Sequence, residues 1–437
     1  MRTRSYLDRK TRVCGLLLAG AILGVTAVLV LQTAPDALLS RAEAAASAME
    51  GVGPNAIVPD RYVYYPGTEV LEQKEVRVIA CGTGMPDQRI AQASSCWLFE
   101  FGNGEKMLFD LGTGSMRNLA SLMIPYEYLD KVFLSHLHTD HWGELSAIWA
   151  GGWTSGRPGA LRVWGPSGQT REMGTAYAIE HFLKANNWDY QTRAYKITPA
   201  PGETKVTEFD YRGENAIVYE KNGITVRSWP AIHAGDGPVS FSVEYEGMKL
   251  VFGGDTTPNK WFIEYGQGAD LVIHEAFSNP VNYVEDMNQP PQLSWRMCCE
   301  FHTSGQSFGK IMSTIKPRLA IAYHHQEELS ASVKSGIRET YDGPLSMSVD
   351  LMVWNVTPEK ITERMAAVTR RANAVPGPPP QPPPEAGRPD VMTSFIKQGE
   401  WGPGFNAQNR MLDEFAERFN LEDQDWRKER PWYEGSN

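Results

Sequence analysis

The stretch Phe133-Leu-Ser-His136-Leu-His138-Thr-Asp140-His141-Trp-Gly143 places three imidazoles and one carboxylate within six residues. His136 and His138 are two positions apart, so on an extended chain that leaves a strand their side chains point the same way. A tight turn after them can bring Asp140 and His141 back towards the first pair. Four such groups this close would repel or desolvate one another unless a cation lay between them, and they are ligands that zinc prefers. The stretch therefore predicts a metal site.

The alternative interpretation is a polar loop with coincidental histidines. The chain has only nine histidines, and three of them lie in this stretch, which argues against coincidence. Residues 128–135, just before the ligands, form an apolar run that is typical of a short strand. The predicted ligands thus follow the carboxyl end of a strand, which is the edge where α/β folds place their chemistry.

The composition of the chain is that of an ordinary globular protein. Its 437 residues are 42% hydrophobic and 22% charged, which is enough for one large domain or two modest ones. The net charge of −10 argues against a nucleic-acid partner, because binding to polyanions depends on clustered Lys and Arg. Five cysteines without a CxxC spacing suggest neither a disulfide framework nor a thiolate zinc site.

Residues 1–50 have the pattern of a secretory signal peptide. Five basic residues precede an apolar run at residues 13–31, and a patch of small residues follows at residues 42–48. About twenty apolar residues can also span a bilayer, so an uncleaved N-terminal membrane anchor is the alternative. Either interpretation predicts an exported protein, most simply in a bacterial periplasm, soluble or anchored to the inner membrane through residues 13–31.

Composition divides the rest of the chain into four segments. Residues 51–74 resemble an extended linker, and residues 75–357 alternate strands with helices and form the predicted catalytic domain. Residues 358–390 are predicted to be a helix and a linker rich in proline, which contains the polyproline run at residues 376–384. Residues 391–437 form a tail rich in aromatic and charged side chains, to which no role is assigned.

Other polar residues follow apolar strands later in residues 75–357. His233 and Asp255 each lie beside glycines at the end of a strand, which suits ligands that a metal must approach closely. A third strand ends in His274-Glu275, and the last strand ends in His324-His325. Each of these alone is more typical of a turn. Together with residues 136–141, they predict one shared metal site.

The order of these motifs resembles that of the metallo-β-lactamase superfamily over residues 76–356. The resemblance implies an α/β fold, a four-layer αββα metallo-β-lactamase sandwich with its site at one edge, and two zinc ions per chain. One ion would bind His136, His138 and His233. The other would bind Asp140, His141 and His324, with His325 as an alternative to His324. Asp255 would bridge the ions, and the bridging water, oriented by Asp140, would be the nucleophile.

Three further motifs resemble the branch that holds tRNase Z and the zinc arylsulfatases: Cys81-Gly-Thr-Gly-Met-Pro, His274-Glu275-Ala and His302-Thr-Ser. In that branch a Glu and a His deliver a proton to the leaving group. The resemblance therefore implies that Glu275 and His302 are catalytic, with His274 as a supporting neighbour. A local hydrogen bond at the start of a helix is the alternative for His302. True β-lactamases commonly carry Cys at the position of Asp255. The carboxylate at this position therefore favours the members of the family that hydrolyse oxygen esters.

These features predict an exported dinuclear zinc hydrolase whose metal-bridging hydroxide attacks a small phosphodiester, sulfate ester or similar ester, with no nucleic-acid partner. The alternatives are a lactonase or lactamase, a tRNase Z-like endoribonuclease, and a catalytically silent metal-binding module. The tRNA-processing enzymes typically insert an RNA-gripping arm between the third metal histidine and the bridging Asp. Residues 233–255 have room for only one hairpin, which disfavours an RNA substrate.

Trp142, Trp153 and Trp261 are candidates for an apolar substrate pocket, with core positions as the alternative.

Overall fold

A computed structural model describes residues 62–87, 89–373, 379–384, 391–399, 414–415 and 417–420. The predicted signal peptide or anchor, residues 1–50, lies outside these residues, as does most of the predicted C-terminal tail. None of the helices in the described ranges combines the length and the apolar character that a membrane crossing needs. The exported location therefore stays a prediction.

The strands of the described residues form two sheets. In chain order the strands are β1 (Val63–Tyr64), β2 (Val76–Gly82), β3 (Cys96–Phe101), β4 (Lys106–Phe109), β5 (Lys131–Phe133), β6 (Leu161–Pro166), β7 (Thr204–Phe209), β8 (Ala216–Lys221), β9 (Ile224–Pro230), β10 (Val239–Tyr245), β11 (Met248–Phe252), β12 (Leu271–Glu275), β13 (Leu319–Tyr323), β14 (Leu345–Met347), β15 (Met352–Val356) and β16 (Ile361–Ala366). One sheet has the order β1-β16-β15-β2-β3-β4-β5-β6-β7, and the other has the order β14-β13-β12-β11-β10-β9-β8.

Helices lie between these strands in the described ranges. The α-helices are Ser115–Ser121, Thr139–Trp142, Leu145–Thr154, Thr175–Ala185, Asn187–Ala194, Lys260–Tyr265, Pro280–Glu285, Pro291–Arg296, Gly305–Ile315, Ser330–Arg338 and Ser394–Lys397. A π-helix spans Met297–Phe301. Short 3₁₀-helices are Tyr126–Tyr128, Arg171–Met173, Ala200–Gly202 and Glu327–Leu329.

Three large apolar clusters separate the layers of the fold. Trp97 and Phe99 of β3 belong to the cluster between the sheets, where Phe109 lies 5.5 Å from Phe241, ring centroid to ring centroid. Leu98, between Trp97 and Phe99, instead joins the cluster with the helices outside the first sheet, because successive side chains of a strand alternate in direction. A third cluster packs helices onto the second sheet. The predicted four-layer αββα sandwich is therefore confirmed.

The first sheet extends beyond the segment predicted to hold it. The predicted helix after residue 357 is wrong at Ile361–Ala366, which forms β16 and pairs with β15 in antiparallel and with β1 in parallel orientation. β1 lies within the predicted linker. β16 is buried only at alternate positions towards its end. Such a short alternation is a weak signal of a strand in the sequence. In the proline-rich segment, the Gln381 carbonyl accepts a hydrogen bond of 2.8 Å from the Thr198 amide. The other domain boundaries stay predictions.

The site lies where parallel strands of both sheets end. In the second sheet β11, β12 and β13 run parallel, with Phe252 opposite Ile273 and Glu275 opposite Tyr323. In the first sheet the parallel pair is β4 and β5, with Phe109 opposite Phe133. Because the carboxyl ends of parallel strands meet at one edge, polar residues that are distant in sequence converge there.

Candidate metal centre

The stretch that follows β5 forms the turn that its sequence predicts. His138 is the N-cap of the short helix Thr139–Trp142, which carries Asp140 and His141 in its single turn. The His136 ring centroid lies 4.7 Å from that of His138 and 4.0 Å from that of His141. The turn therefore gathers all three imidazoles of the stretch.

His136, His138 and His233 form the first ligand group, with one nitrogen atom of each within 4.8 Å of the others. His138 Nδ1 lies 3.1 Å from His233 Nε2. His233 Nδ1 donates a hydrogen bond of 2.8 Å to the carbonyl of Phe301, which leaves Nε2 as the metal-facing nitrogen. His136 Nε2 is buried and has no hydrogen-bond partner among the described residues. The structure thus brings together the three histidines predicted for the first ion.

Asp140, His141, Asp255 and His324 form the second ligand group, again within 4.8 Å of one another. Asp255 Oδ2 lies 3.3 Å from Nε2 of both His141 and His324. It also lies 3.8 Å from His233 Nε2 of the first group. Asp255 therefore occupies the position between the groups that a bridging carboxylate requires. Its bridging role and the other predicted ligand roles remain predictions.

Electrostatics and orphaned atoms show that the two groups fit cations. Burial lowers the pKa of His136 well below its ordinary value and that of His233 to about 4, so both imidazoles are neutral, as metal ligands must be. Burial also opposes charge on His141, but the carboxylates of Asp255, Asp140 and Asp110 outweigh it and raise the pKa of His141 well above its ordinary value. The same carboxylates that favour a positive charge on His141 would favour a cation at this position. Buried His141 Nε2 and Asp255 Oδ1 form no hydrogen bond with any described residue.

The backbone decides between the two adjacent histidines that follow β13. His324 has a φ of 62°, in the left-handed region, and its amide donates a hydrogen bond of 2.9 Å to the Thr83 carbonyl. This conformation directs its ring into the second ligand group. The His325 ring points elsewhere, with Nε2 3.1 Å from the Ser330 hydroxyl. The structure therefore places His324, and not its alternative His325, in the site.

The fully buried Glu275 and the partly buried His302 form a pair beside the second ligand group. His302 Nδ1 lies 2.6 Å from Glu275 Oε2, and the amide of Thr256 donates to Glu275 Oε1 over 2.7 Å. His302 Nδ1 also lies 3.8 Å from Asp255 Oδ2. Burial raises the pKa of Glu275 well above its ordinary value, and burial lowers the pKa of His302 to about 3. A pair of this kind can hold a proton next to the reacting atoms.

His274 lies on the other face of β12 from Glu275. Its ring centroid is 4.6 Å from that of Phe262, among the helices that cover the second sheet. Its Nδ1 donates a hydrogen bond of 2.7 Å to the Glu275 carbonyl. Its support for the predicted proton donor is therefore limited to the backbone of Glu275.

Asp110 is part of the site but was missed in the sequence analysis. It follows β4 with a φ of 58°, and its Oδ2 accepts a hydrogen bond of 2.6 Å from His141 Nδ1. Ser135 donates to it twice, from the amide over 2.7 Å and from the hydroxyl over 2.8 Å. Two residues later, a Cβ on Gly112 would lie 2.0 Å from the Asp140 carbonyl oxygen, so only glycine fits there. A polar residue at a strand end followed by Gly-Thr-Gly was the available signal.

A cavity of about 530 Å³ opens beside the second ligand group and His302. The three tryptophans proposed for an apolar pocket are not among its lining residues. Trp153 is fully buried and donates a hydrogen bond of 2.8 Å to the Thr198 carbonyl. Trp142 and Trp261 pack against the outer apolar clusters. The pocket role is therefore wrong for all three, since each packs with the helices.

Comparison with known proteins relates part of this chain to a family. Residues 89–274 match the family model of the metallo-beta-lactamase superfamily. A ribonuclease Z of Mycobacterium marinum is 28% identical over 237 residues, which are 53% of this chain and 79% of the relative. A ribonuclease Z of Mycobacterium bovis is 29% identical over 238 residues, which are 53% of this chain and 78% of the relative.

Solved structures of low sequence identity are also similar. A metallo-beta-lactamase fold protein of Bacillus subtilis superposes with a TM-score of 0.49 at 18% identity, over 64% of this chain and all 100% of that protein. The short form of human tRNase Z gives a TM-score of 0.45 at 16% identity, over 63% of this chain and 98% of that protein. With the family match and the curated relatives, the conclusion is that this chain contains a metallo-hydrolase domain of the metallo-beta-lactamase superfamily.

Proposed function

We propose that the domain is a dinuclear zinc hydrolase that cleaves a small phosphodiester, sulfate ester or similar ester. The observation that carries this proposal is the Glu275 and His302 pair, joined over 2.6 Å and placed beside two adjacent groups of metal ligands. Nitrogen and carboxylate oxygen donors suit zinc, and three histidines on one side face a group of two carboxylates and two histidines on the other.

The residues of the chain would divide the reaction between them. When bound, the two ions would polarise the ester and lower the pKa of the attacking water. Asp140 and Asp255 would orient that water on the substrate side of the site. Overall, the water oxygen bonds to phosphorus or sulfur while the bond to the leaving oxygen breaks. His302, with Glu275 behind it, would give its proton to the leaving oxygen and recover one from the water.

A tRNase Z-like endoribonuclease is the second candidate, since the curated relatives are ribonuclease Z proteins. Two observations favour a small ester instead. Between His233 and Asp255 the chain forms only the β10 and β11 hairpin. In addition, no Lys or Arg occurs among the described residues that line the cavity, whereas RNA binding depends on such side chains.

The two remaining alternatives explain less of the site. Attack on the carbonyl of a lactone or lactam gives the pair of Glu275 and His302 no evident task. A catalytically silent module would not need the complete set of metal-ligand candidates that the structure gathers in two adjacent groups. We also retain export as a proposal, because the basic and apolar pattern of residues 2–31 supports it.

A substrate panel on zinc-loaded protein tests this function. We expect turnover of bis(4-nitrophenyl) phosphate or an aryl sulfate, loss of turnover after chelation, and recovery with zinc. On an unactivated phenyl ester, whose leaving oxygen needs a proton, His302→Ala should lower kcat by about 100-fold or more, because a positioned general acid contributes about 10²–10⁴-fold. The control His181→Ala, on the exposed face of the helix Thr175–Ala185, should retain full activity. Cleavage of precursor tRNA or lactones without ester turnover would overturn the proposal.

A further inference from the structure

Between β12 and the helix Gly305–Ile315, residues 280–301 form a cap over the site. The cap consists of the helices Pro280–Glu285 and Pro291–Arg296 and the π-helix Met297–Phe301. Tyr283 and Cys298 of the cap are fully buried in an apolar cluster that also contains Met85, Phe277 and Leu329. At its end, the Phe301 carbonyl accepts the hydrogen bond of 2.8 Å from His233 Nδ1. The cap is thus tied directly to a metal-ligand candidate. Short π-helices are frequent at functional sites.

The cavity under the cap has apolar walls. Its apolar lining includes Met85, Pro86, Leu137, Phe277, Met297 and Phe301. Its other lining residues are mainly metal-ligand candidates and His302. Its volume of about 530 Å³ is typical of sites for small molecules, which measure about 300–1,000 Å³. Beside these apolar residues, a charged or strongly hydrated group would lose its water without gaining polar partners.

The ordinary explanation of these apolar residues is that they are the core of the cap. Cys298 fits that explanation, because it is fully buried beside Tyr283. Met297 and Phe301 are only partly buried, and both line the cavity. They therefore keep apolar surface available to a ligand. Methionine also adapts its shape to what it contacts, which suits a binding wall.

His302 indicates which part of a substrate would occupy this cavity. Its ring stacks on Phe277, with ring centroids 4.0 Å apart and planes 10° apart, and both residues line the cavity. The group that receives a proton from His302 is the leaving oxygen. The substituent on that oxygen would then extend towards the cap residues Met297 and Phe301, which are partly exposed and line the same cavity.

We propose that this apolar cavity is the leaving-group subsite, and that the natural substrate is an ester of an apolar phenol or bulky apolar alcohol. The inference rests on the proposed ester hydrolysis and adds the class of substrate. On cleavage, water supplies the hydroxyl that remains on phosphorus or sulfur, and the apolar alcohol leaves with the proton. Met297 and Phe301 are the residues that select it.

Two matched series of phosphodiesters test the subsite. In the first series, the leaving group is phenol or 4-tert-butylphenol, and the substituent that stays on phosphorus is constant. In the second series, the leaving group is constant, and the tert-butyl group is on the substituent that stays on phosphorus. We expect kcat/KM to rise about tenfold or more with the larger leaving group, since each buried methylene favours binding by several-fold. Phe301→Ala and Met297→Ala should each reduce the ratio of kcat/KM for the 4-tert-butylphenol ester to kcat/KM for the phenol ester towards one. Leu293→Ala, on the exposed outer surface of the cap, should leave the ratio at the wild-type value.

Direct binding of 4-tert-butylphenol, measured by calorimetry on zinc-loaded protein, separates this inference from the proposed function. Binding that Phe301→Ala weakens supports the subsite even if no ester is hydrolysed, in which case the proposed function alone fails. A ratio near one in the wild type, a preference that follows the other substituent, or phenol binding that both cap variants leave unchanged would overturn the subsite.

Discussion

At the scale of single residues, the geometry of the centre depends on the two nitrogens of His141. Nδ1 lies 2.6 Å from Asp110 Oδ2, while Nε2 lies 3.4 Å from Asp140 Oδ2 and 3.3 Å from Asp255 Oδ2. The hydrogen bond to Asp110 fixes the proton on Nδ1 and so leaves Nε2 free to bind a metal. Such a partner behind a metal-binding histidine controls both its tautomer and its orientation.

Asp110→Asn should lower zinc affinity by about 10- to 100-fold, because its amide nitrogen would replace an acceptor of the His141 or Ser135 hydrogen bonds. The measurement is zinc competition with a chromophoric chelator. Asp270→Asn is the control, since Asp270 also accepts a backbone amide bond, from Lys249 over 2.9 Å, but outside the site. Equal zinc affinities of Asp110→Asn and the wild type would refute this role of Asp110.

Residue spacing predicted the gathered histidines but not Asp110. His136, His138 and His141 lie within one short turn, so their proximity is local. Asp110 meets His141 only because β4 pairs with β5 in parallel orientation, which spacing along the chain does not reveal. The left-handed conformation that separates His324 from His325 is equally invisible in a pair of adjacent identical residues.

At the scale of elements, the turn before β15 holds the connection between β2 and β3 and the helix Ser115–Ser121 together near the site. Asp350 Oδ1 accepts hydrogen bonds from the Thr83 amide over 3.0 Å and from the Thr83 hydroxyl over 2.9 Å. Its Oδ2 accepts from the Ala93 amide and from Asn118 Nδ2, each over 2.7 Å. Thr83 in turn accepts the amide of His324 over 2.9 Å. One carboxylate thus secures the loop that holds a metal-ligand candidate.

Asp350→Asn should reduce the free energy of unfolding by about 1–3 kcal/mol. The NH₂ group of the asparagine would replace one carboxylate oxygen, and it cannot accept the hydrogen bonds that this oxygen accepts. Urea unfolding of the metal-free protein measures this change. Asp342→Asn, at an exposed position before β14, is the matched control and should change stability by less than about 0.5 kcal/mol. A similarly small effect of Asp350→Asn would show that the turn does not depend on its carboxylate.

Elements with strong periodicity were predicted better than those at the sheet edge. β2, β3 and β12 are buried along their whole length and read clearly as strands. β1 has two residues and is stabilised by pairing with β16, which lies about 300 residues later in the chain. Such a contact leaves no local pattern, and the strands were therefore assigned to a linker and a helix.

At the scale of the whole molecule, the centre exists only because both sheets end at one edge. The first sheet delivers residues 136–141 after β5, and the second delivers Asp255, Glu275 and His324 at the ends of β11, β12 and β13. The sandwich and the ligand order followed from the resemblance of the motifs. The cap and its apolar cavity did not, because the residues that line it are spread over Met85, Leu137, Phe277 and the π-helix.

The most direct test of the account is the zinc content of the purified, zinc-loaded and desalted chain, measured by elemental analysis against protein concentration. Two adjacent ligand groups with Asp255 between them predict two zinc ions per chain, independently of any substrate. A content of one ion or fewer would contradict the shared centre on which the proposed chemistry depends.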